Sequence, residues 1–123
     1  MVMKGKVLLV DDEPLVLEMF EDALSKEGYD VAVAASAKEA VSQLDRCFFD
    51  VLICDVLLEG LDGFDVLQIA RKKSENIGVI LITGAPSESD NQRATDLKVE
   101  YLSKPIGLEQ MVDCVENVAP DHA

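Results

Sequence analysis

Val51-Leu52-Ile53-Cys54-Asp55 is the stretch that decides the fold. Four apolar residues, two of them β-branched, run directly into a carboxylate. A short, uninterrupted apolar run is the pattern of a strand buried on both faces, as in a parallel sheet. Its last residue then emerges at the strand's carboxyl end, where open α/β sheets bind ligands. The pattern occurs earlier too, where Val7-Leu8-Leu9-Val10 runs into Asp11-Asp12. If the two strands are neighbours, three carboxylates meet at one rim.

Outward from these runs the chain alternates. The periodicity predicts strands at Lys6–Val10, Asp30–Ala34, Val51–Cys54, Val79–Ile82 and Val99–Leu102. Between and after them come helical patterns. The first starts at Pro14, carries Val16, Met19, Phe20, Ala23 and Leu24 as its apolar stripe, and ends at Glu27-Gly28 with Gly28 as a left-handed cap. The second has a capping-box spacing at Ser36 and Glu39, with Ala37, Ala40, Val41 and Leu44 inward. The third runs from Phe64 to about Lys73 on Val66, Leu67 and Ala70. The fourth, within Ala85–Lys98, has Pro86 as its expected start and only Ala94 and Leu97 as apolar contacts, so low stability is expected there. The last places Leu108, Met111, Val112, Val115 and Val118 on one face. The tail from Pro120 is expected to fray.

Five βα units with right-handed crossovers give a parallel sheet covered on both sides. The first, third and fourth strands carry the large apolar runs and belong in the centre. The order 2-1-3-4-5, a doubly wound flavodoxin-like sheet, satisfies this and makes the first and third strands neighbours. Another doubly wound order also fits the patterning.

With 123 residues the chain allows one domain. Its 49% hydrophobic content argues against disorder. A net charge of −13, from 24 acids against 11 bases, disfavours nucleic acid as a direct partner and favours a cation or a basic protein face. Cys47, Cys54 and Cys114 have no metal-type spacing and are expected to be buried small hydrophobes in a reducing compartment. The first apolar run stops at Asp11, so no signal peptide is visible, and no run is long enough to span a bilayer. The expectation is a soluble, cytoplasmic protein.

In the expected order Asp11, Asp12 and Asp55 share a rim with Thr83 and Lys104, which follow the fourth and fifth strands. Three close carboxylates resist full ionisation unless a cation relieves them. Mg²⁺, a hard ion that takes few carboxylates and keeps waters, suits them. Three acids against a dication and one lysine sum to zero. Taken singly, each residue has an ordinary use. Asp12 would help to cap the first helix, Thr83 would cap the segment after it, and Lys104 would be a solvated charge.

Five short motifs stand in sequence: Val10-Asp11-Asp12-Glu13-Pro14, the strand ending at Asp55, Leu61-Asp62-Gly63, Ile82-Thr83-Gly84 and Tyr101-Leu102-Ser103-Lys104-Pro105. In this order the chain, from Lys6 to about Val118, resembles a response-regulator receiver domain, the phosphoacceptor module of two-component signalling. The resemblance implies that Asp55 accepts a phosphoryl group from a histidine kinase or histidine phosphotransfer protein. It implies Mg²⁺ held by Asp12, Asp55 and the Leu57 backbone carbonyl, with Asp11 acting mainly through water. It implies self-catalysed phosphorylation and hydrolysis, with Thr83 and Lys104 contacting the phosphoryl oxygens. Thr83 and Tyr101 would be switch residues, and the Lys104–Pro105 bond would be cis. The last two helices and the fifth strand would contact an effector protein or an output domain that the 123 residues do not contain.

The chain departs from the family at Leu58-Glu59, where Met-Pro is usual, and at Leu97-Lys98, where Gly-Ala is usual. Apolar Leu57 and small Ala85 stand where polar residues often position the hydrolytic water, so a long-lived phosphorylated form is expected. Other readings are a phosphorylation-independent scaffold, an aspartyl-phosphate hydrolase and a flavodoxin. The hydrolase would want a second acid at position 57 and a cap domain. The flavodoxin would want a hydroxyl- and glycine-rich loop at Asp11-Asp12-Glu13.

Overall fold

In a computed structural model, residues 3–120 are described. The expected tail beyond Pro120 lies outside them. Five strands, β1 (Lys6–Val10), β2 (Asp30–Ala34), β3 (Val51–Asp55), β4 (Gly78–Thr83) and β5 (Glu100–Ser103), alternate with α1 (Pro14–Lys26), α2 (Ala37–Arg46), α3 (Gly63–Lys73), α4 (Glu88–Asp96) and α5 (Leu108–Val118). All pairings are parallel and the order is β2-β1-β3-β4-β5.

The central strands are continuous apolar runs because both faces are covered. Val7, Leu9, Val51, Ile53, Ile80 and Ile82 pack against Leu17, Phe20 and Leu24 of α1 and Met111, Cys114 and Val115 of α5. The alternate residues Leu8, Val10, Leu52, Cys54, Val79 and Leu81 pack against α2, α3 and Ala94 of α4. Burying each such Val, Leu or Ile contributes about 1.5–3 kcal/mol. The edge strands lack this double cover, and Val33 in β2 is exposed.

Several local expectations shift. The inward face of α1 is centred on Leu17, Phe20 and Leu24, whereas Met19 is 51% exposed. This N-terminal turn is apolar on more than one side, so spacing admitted two phases, and packing against Val7 and Ile53 selects the one containing Leu17. On α5, Leu108 stands exposed and Cys114 takes the buried place beside Val115. The helix α4 begins at Glu88, not at Pro86, because the Ser87 side chain accepts from the Asp90 N–H. Its only buried residue is Ala94, as its thin apolar content implied. Cys47 is half-buried, while Cys54 and Cys114 are buried, and all three are free thiols.

Two helices end in the same hydrogen-bonded motif with different residues. After α1, Gly28 at φ +98° donates to Ser25 and Tyr29 donates to Leu24. After α4, Lys98 takes the glycine's place at φ +59°, with Lys98 donating to Thr95 and Val99 to Ala94. Nearby, the Arg71 guanidinium of α3 donates to the Leu97 carbonyl, and Arg93 lies 4.2 Å over the buried Phe64 ring. Polar contacts thus hold the poorly buried α4 against α3.

Candidate functional site

The register sets the rim. Val10 pairs with Cys54, so Asp11 stands level with Asp55. Asp55 pairs with Ile82, one residue short of Thr83, and Thr83 pairs with Ser103, one residue short of Lys104. Backbone bonds extend the ladder past the strand ends, from Val56 N–H to Ile82 O at 2.8 Å and from Lys104 N–H to Thr83 O at 2.8 Å. Five polar residues from four strands therefore reach one edge.

The side chains meet there. Lys104 Nζ lies 2.8 Å from Asp55 Oδ2, 2.8 Å from Glu13 Oε1 and 3.0 Å from Asp11 Oδ2. The first two contacts are hydrogen bonds. The third is close but misdirected, and it leaves the buried Asp11 Oδ2 without a hydrogen bond. Asp55 Oδ1 accepts from the Leu57 N–H at 3.1 Å, and Asp11 Oδ1 accepts from the Glu13 N–H at 2.9 Å. Ligand oxygens of Asp11, Asp12, Glu13 and Asp55 lie within 4.8 Å of one another. Asp11 and Asp55 form the buried floor, and Asp12 and Glu13 form the exposed lip.

Electrostatics follow from this crowding. Burial pushes the Asp11 carboxyl above its ordinary range; the Glu13 N–H and Lys104 pull it back, and the Asp55 charge adds to the rise. Burial works to lower Lys104, but its hydrogen bonds to Asp55 and Glu13 and the nearby negative charge of Asp11 outweigh that and raise it. Burial, followed by the charges of Asp55, Asp11 and Asp62, keeps Cys54 a thiol.

Thr83 is fully buried, and its hydroxyl accepts from the Ala85 N–H at 3.0 Å. Tyr101 is half-buried, and its hydroxyl accepts from the Ser87 N–H at 3.2 Å, at the start of α4. The Lys104–Pro105 peptide is cis. Leu57 is 60% exposed beside Asp55. The first helix is not capped by Asp12: its N-cap is Glu13, whose side chain makes no capping bond. The turn bond instead comes from Asp11.

Two features escaped the sequence reading. Glu13 joins the cluster through Lys104, and its signal was its position directly after Asp11-Asp12. Asp62 and Asp65 form a reciprocal capping box that starts α3 under the Asp55 loop, visible as D-x-x-D before an apolar run.

A doubly wound sheet with an acid cluster and a reaching lysine at the rim beside β1 and β3 defines the receiver class of signalling domain. The response regulator receiver domain family matches residues 7–116, and the chain belongs to it. It is 36% identical over 110 residues to the transcriptional regulatory protein TrcR of Mycobacterium tuberculosis, across 87% of this chain and 42% of that protein. It is 33% identical over 124 residues to the transcriptional regulatory protein AruR of Pseudomonas aeruginosa, across 96% of this chain and 50% of that one. The chain thus spans about half the length of these relatives. Among solved structures, a CheY-like receiver domain protein of Methanospirillum hungatei superposes with a TM-score of 0.87 at 26% identity, covering 94% of this chain and 93% of that one. Membership places the chain in phosphorylation-based two-component signalling.

Receiver domains generally bind Mg²⁺ at an acidic pocket, and these residues fit such an ion. The donors are all oxygens, one buried carboxylate oxygen lacks a hydrogen bond, and the exposed lip leaves room for waters. No helix among the described residues is long and apolar enough to cross a membrane.

Proposed function

We propose that the domain is a magnesium-dependent phosphorylation switch with Asp55 as its phosphoacceptor. The observation that carries this reading is Lys104, which reaches from the end of β5 to hydrogen-bond Asp55 Oδ2 at 2.8 Å inside the acid cluster. Asp12, Asp55 and the Leu57 carbonyl would hold the ion, with Asp11 acting through water. When bound, the ion supplies positive charge against the oxygens of the transferring phosphoryl group.

The chain's own residues do the rest. An Asp55 oxygen attacks phosphorus, forming an acyl phosphate, while the phosphorus–nitrogen bond of the donor phosphohistidine breaks and the imidazole leaves and takes a proton. Lys104 stays charged because its acidic neighbours hold its proton. It is within reach of a phosphoryl oxygen on Asp55. Thr83 lies one residue beyond Asp55's partner in β4 and can turn its hydroxyl from Ala85 toward that oxygen. Moving Thr83 draws on the loop that leads to α4, and Tyr101, bonded to Ser87 at the start of α4, shifts with it. The face of α4, β5 and α5 passes the change to an effector, on a partner or elsewhere on a longer chain.

Incubation with a small acyl-phosphate donor and Mg²⁺, read by intact mass, tests this. One added phosphoryl group is expected, and it is expected to disappear in Asp55→Asn and on chelation. Undiminished labelling of Asp55→Asn would refute the assignment. With exposed Leu57 and small Ala85 flanking the site, the phosphorylated form is expected to persist for minutes or longer. A decay within seconds in the purified protein would contradict that.

A further inference from the structure

We infer that Glu13 is a positioning residue for Lys104, taking over the ammonium group when a divalent cation occupies the floor of the site. The inference rests on the proposed magnesium site and adds a residue to it.

An ammonium has three donors. Lys104 spends two of them on hydrogen bonds of 2.8 Å, one to Asp55 and one to Glu13, and it points poorly at Asp11. It therefore sits on the same two buried carboxylates that a cation needs. Ion and ammonium repel at such distances, so a cation entering between Asp11, Asp12 and Asp55 drives the lysine off the floor.

Where it goes is settled by what else it can reach. Asp11 and Asp55 are fixed and buried, each held through its Oδ1 by a backbone N–H. The Glu13 side chain is 58% exposed, and Lys104 is its only partner among the described residues. Its backbone is anchored by the N–H bond to Asp11, while its longer side chain can swing outward with the ammonium. Glu13 is thus the one member of the trio that can keep its bond to Lys104 after the other two are taken. Without Glu13, a displaced Lys104 loses the hydrogen-bonded carboxylate outside the cation's own ligands, and it stays to compete with the cation.

The two residues should therefore be coupled in cation binding. The test is a double-mutant cycle in the whole chain: Mg²⁺ affinity by calorimetry for the wild type, Glu13→Gln, Lys104→Met and the double variant. Glu13→Gln is expected to weaken binding about fivefold more when Lys104 is present than in the Lys104→Met background. Glu13→Asp, which keeps the charge but shortens the reach, is expected to weaken binding nearly as much as Glu13→Gln in the native background. This arm stands even if Lys104→Met folds poorly. Equal losses in both backgrounds, or a Glu13→Asp protein that binds like wild type, would overturn the inference, since Glu13 would then act as bulk charge or as a direct ligand. A wild type that binds no Mg²⁺ would overturn the proposed function and this inference with it. Phosphorylation of Asp55 with equal losses in the cycle would overturn the inference alone.

Discussion

Gly63→Ala should damage phosphorylation from outside the acid cluster. Gly63 begins α3 directly beneath the Asp55 loop, and its N–H donates to the Val56 carbonyl at 2.8 Å. A methyl group at position 63 would sit 2.6 Å from the Asp55 carbonyl oxygen, 2.9 Å from Val56 Cα and 3.1 Å from the Asp55 carbonyl carbon. Ordinary contact begins at 3.4 Å, so the closest pair falls short by about 0.8 Å. All three obstacles are backbone atoms, so no side chain can rotate away. Either α3 backs off the sheet or the loop carrying Asp55 moves. Overpacking of this kind costs about 1–3 kcal/mol, offset by up to about 1 kcal/mol from the better helix propensity of alanine. The expected net loss is about 1–2 kcal/mol. A misplacement near 1 Å can lower a reaction about 100-fold, so a shift of this size should slow phosphoryl transfer by roughly 10- to 100-fold. Urea unfolding followed by far-UV circular dichroism suits a chain without tryptophan, and intact mass gives the labelling rate. A Gly63→Ala protein with wild-type stability, labelled within about threefold of the wild-type rate, would refute the close-approach argument.

Lys98→Gly relieves a left-handed residue that costs about 1–2 kcal/mol, less about 0.4–1 kcal/mol for the freer unfolded chain. Unfolding in urea should show a gain of about 0.5–1 kcal/mol, and a loss would contradict the assignment of strain to this position. Asp12→Asn removes a like charge from the lip, so the magnesium-free protein should gain about 0.5–2 kcal/mol while losing most of its stabilisation by Mg²⁺. Thermal melts with and without the ion check both halves, and an unchanged response to Mg²⁺ would remove Asp12 from the ligand set. Lys104 has a folded pKa above its ordinary 10.5, so the stability it contributes is fully present below about pH 10.5 and is lost as pH rises through the folded value. The difference in unfolding free energy between wild type and Lys104→Met should stay constant from about pH 8 to about pH 10 and shrink above that. A difference that already falls near pH 9 would show that the acids do not hold the proton.

Local patterns were legible where one side of a helix or both sides of a strand settled the matter. Val7–Val10, Val51–Cys54 and Val79–Ile82 have the short apolar pattern of buried strands, and Gly28, just past the stripe of α1, that of a left-handed cap; the structure has all four so. Phase was harder. Leu17 and Met19 are equally apolar, and only the surface of β1 and β3 distinguishes them. At the start of α4, Pro86 has the fixed φ of a first helical residue, but Ser87, with the Asp90 N–H three residues on, is the better cap and sets the boundary. Leu108 has the spacing of a core residue, yet it stands at the rim end of α5, where the sheet no longer covers it.

By itself the sequence determined the strands, their apolar faces and the charged residue that ends or follows each of β1, β3 and β5. These depend on neighbours a few residues apart, so they are written locally. Tertiary structure alone decided that Lys104 bonds Asp55 and Glu13 together, that Asp11 keeps one oxygen unsatisfied, and that Gly63 presses on the Asp55 backbone. Those facts join segments dozens of residues apart. Their distances come from sheet order and register, which are fixed by hydrogen bonds and packing between strands and not by any single stretch of chain.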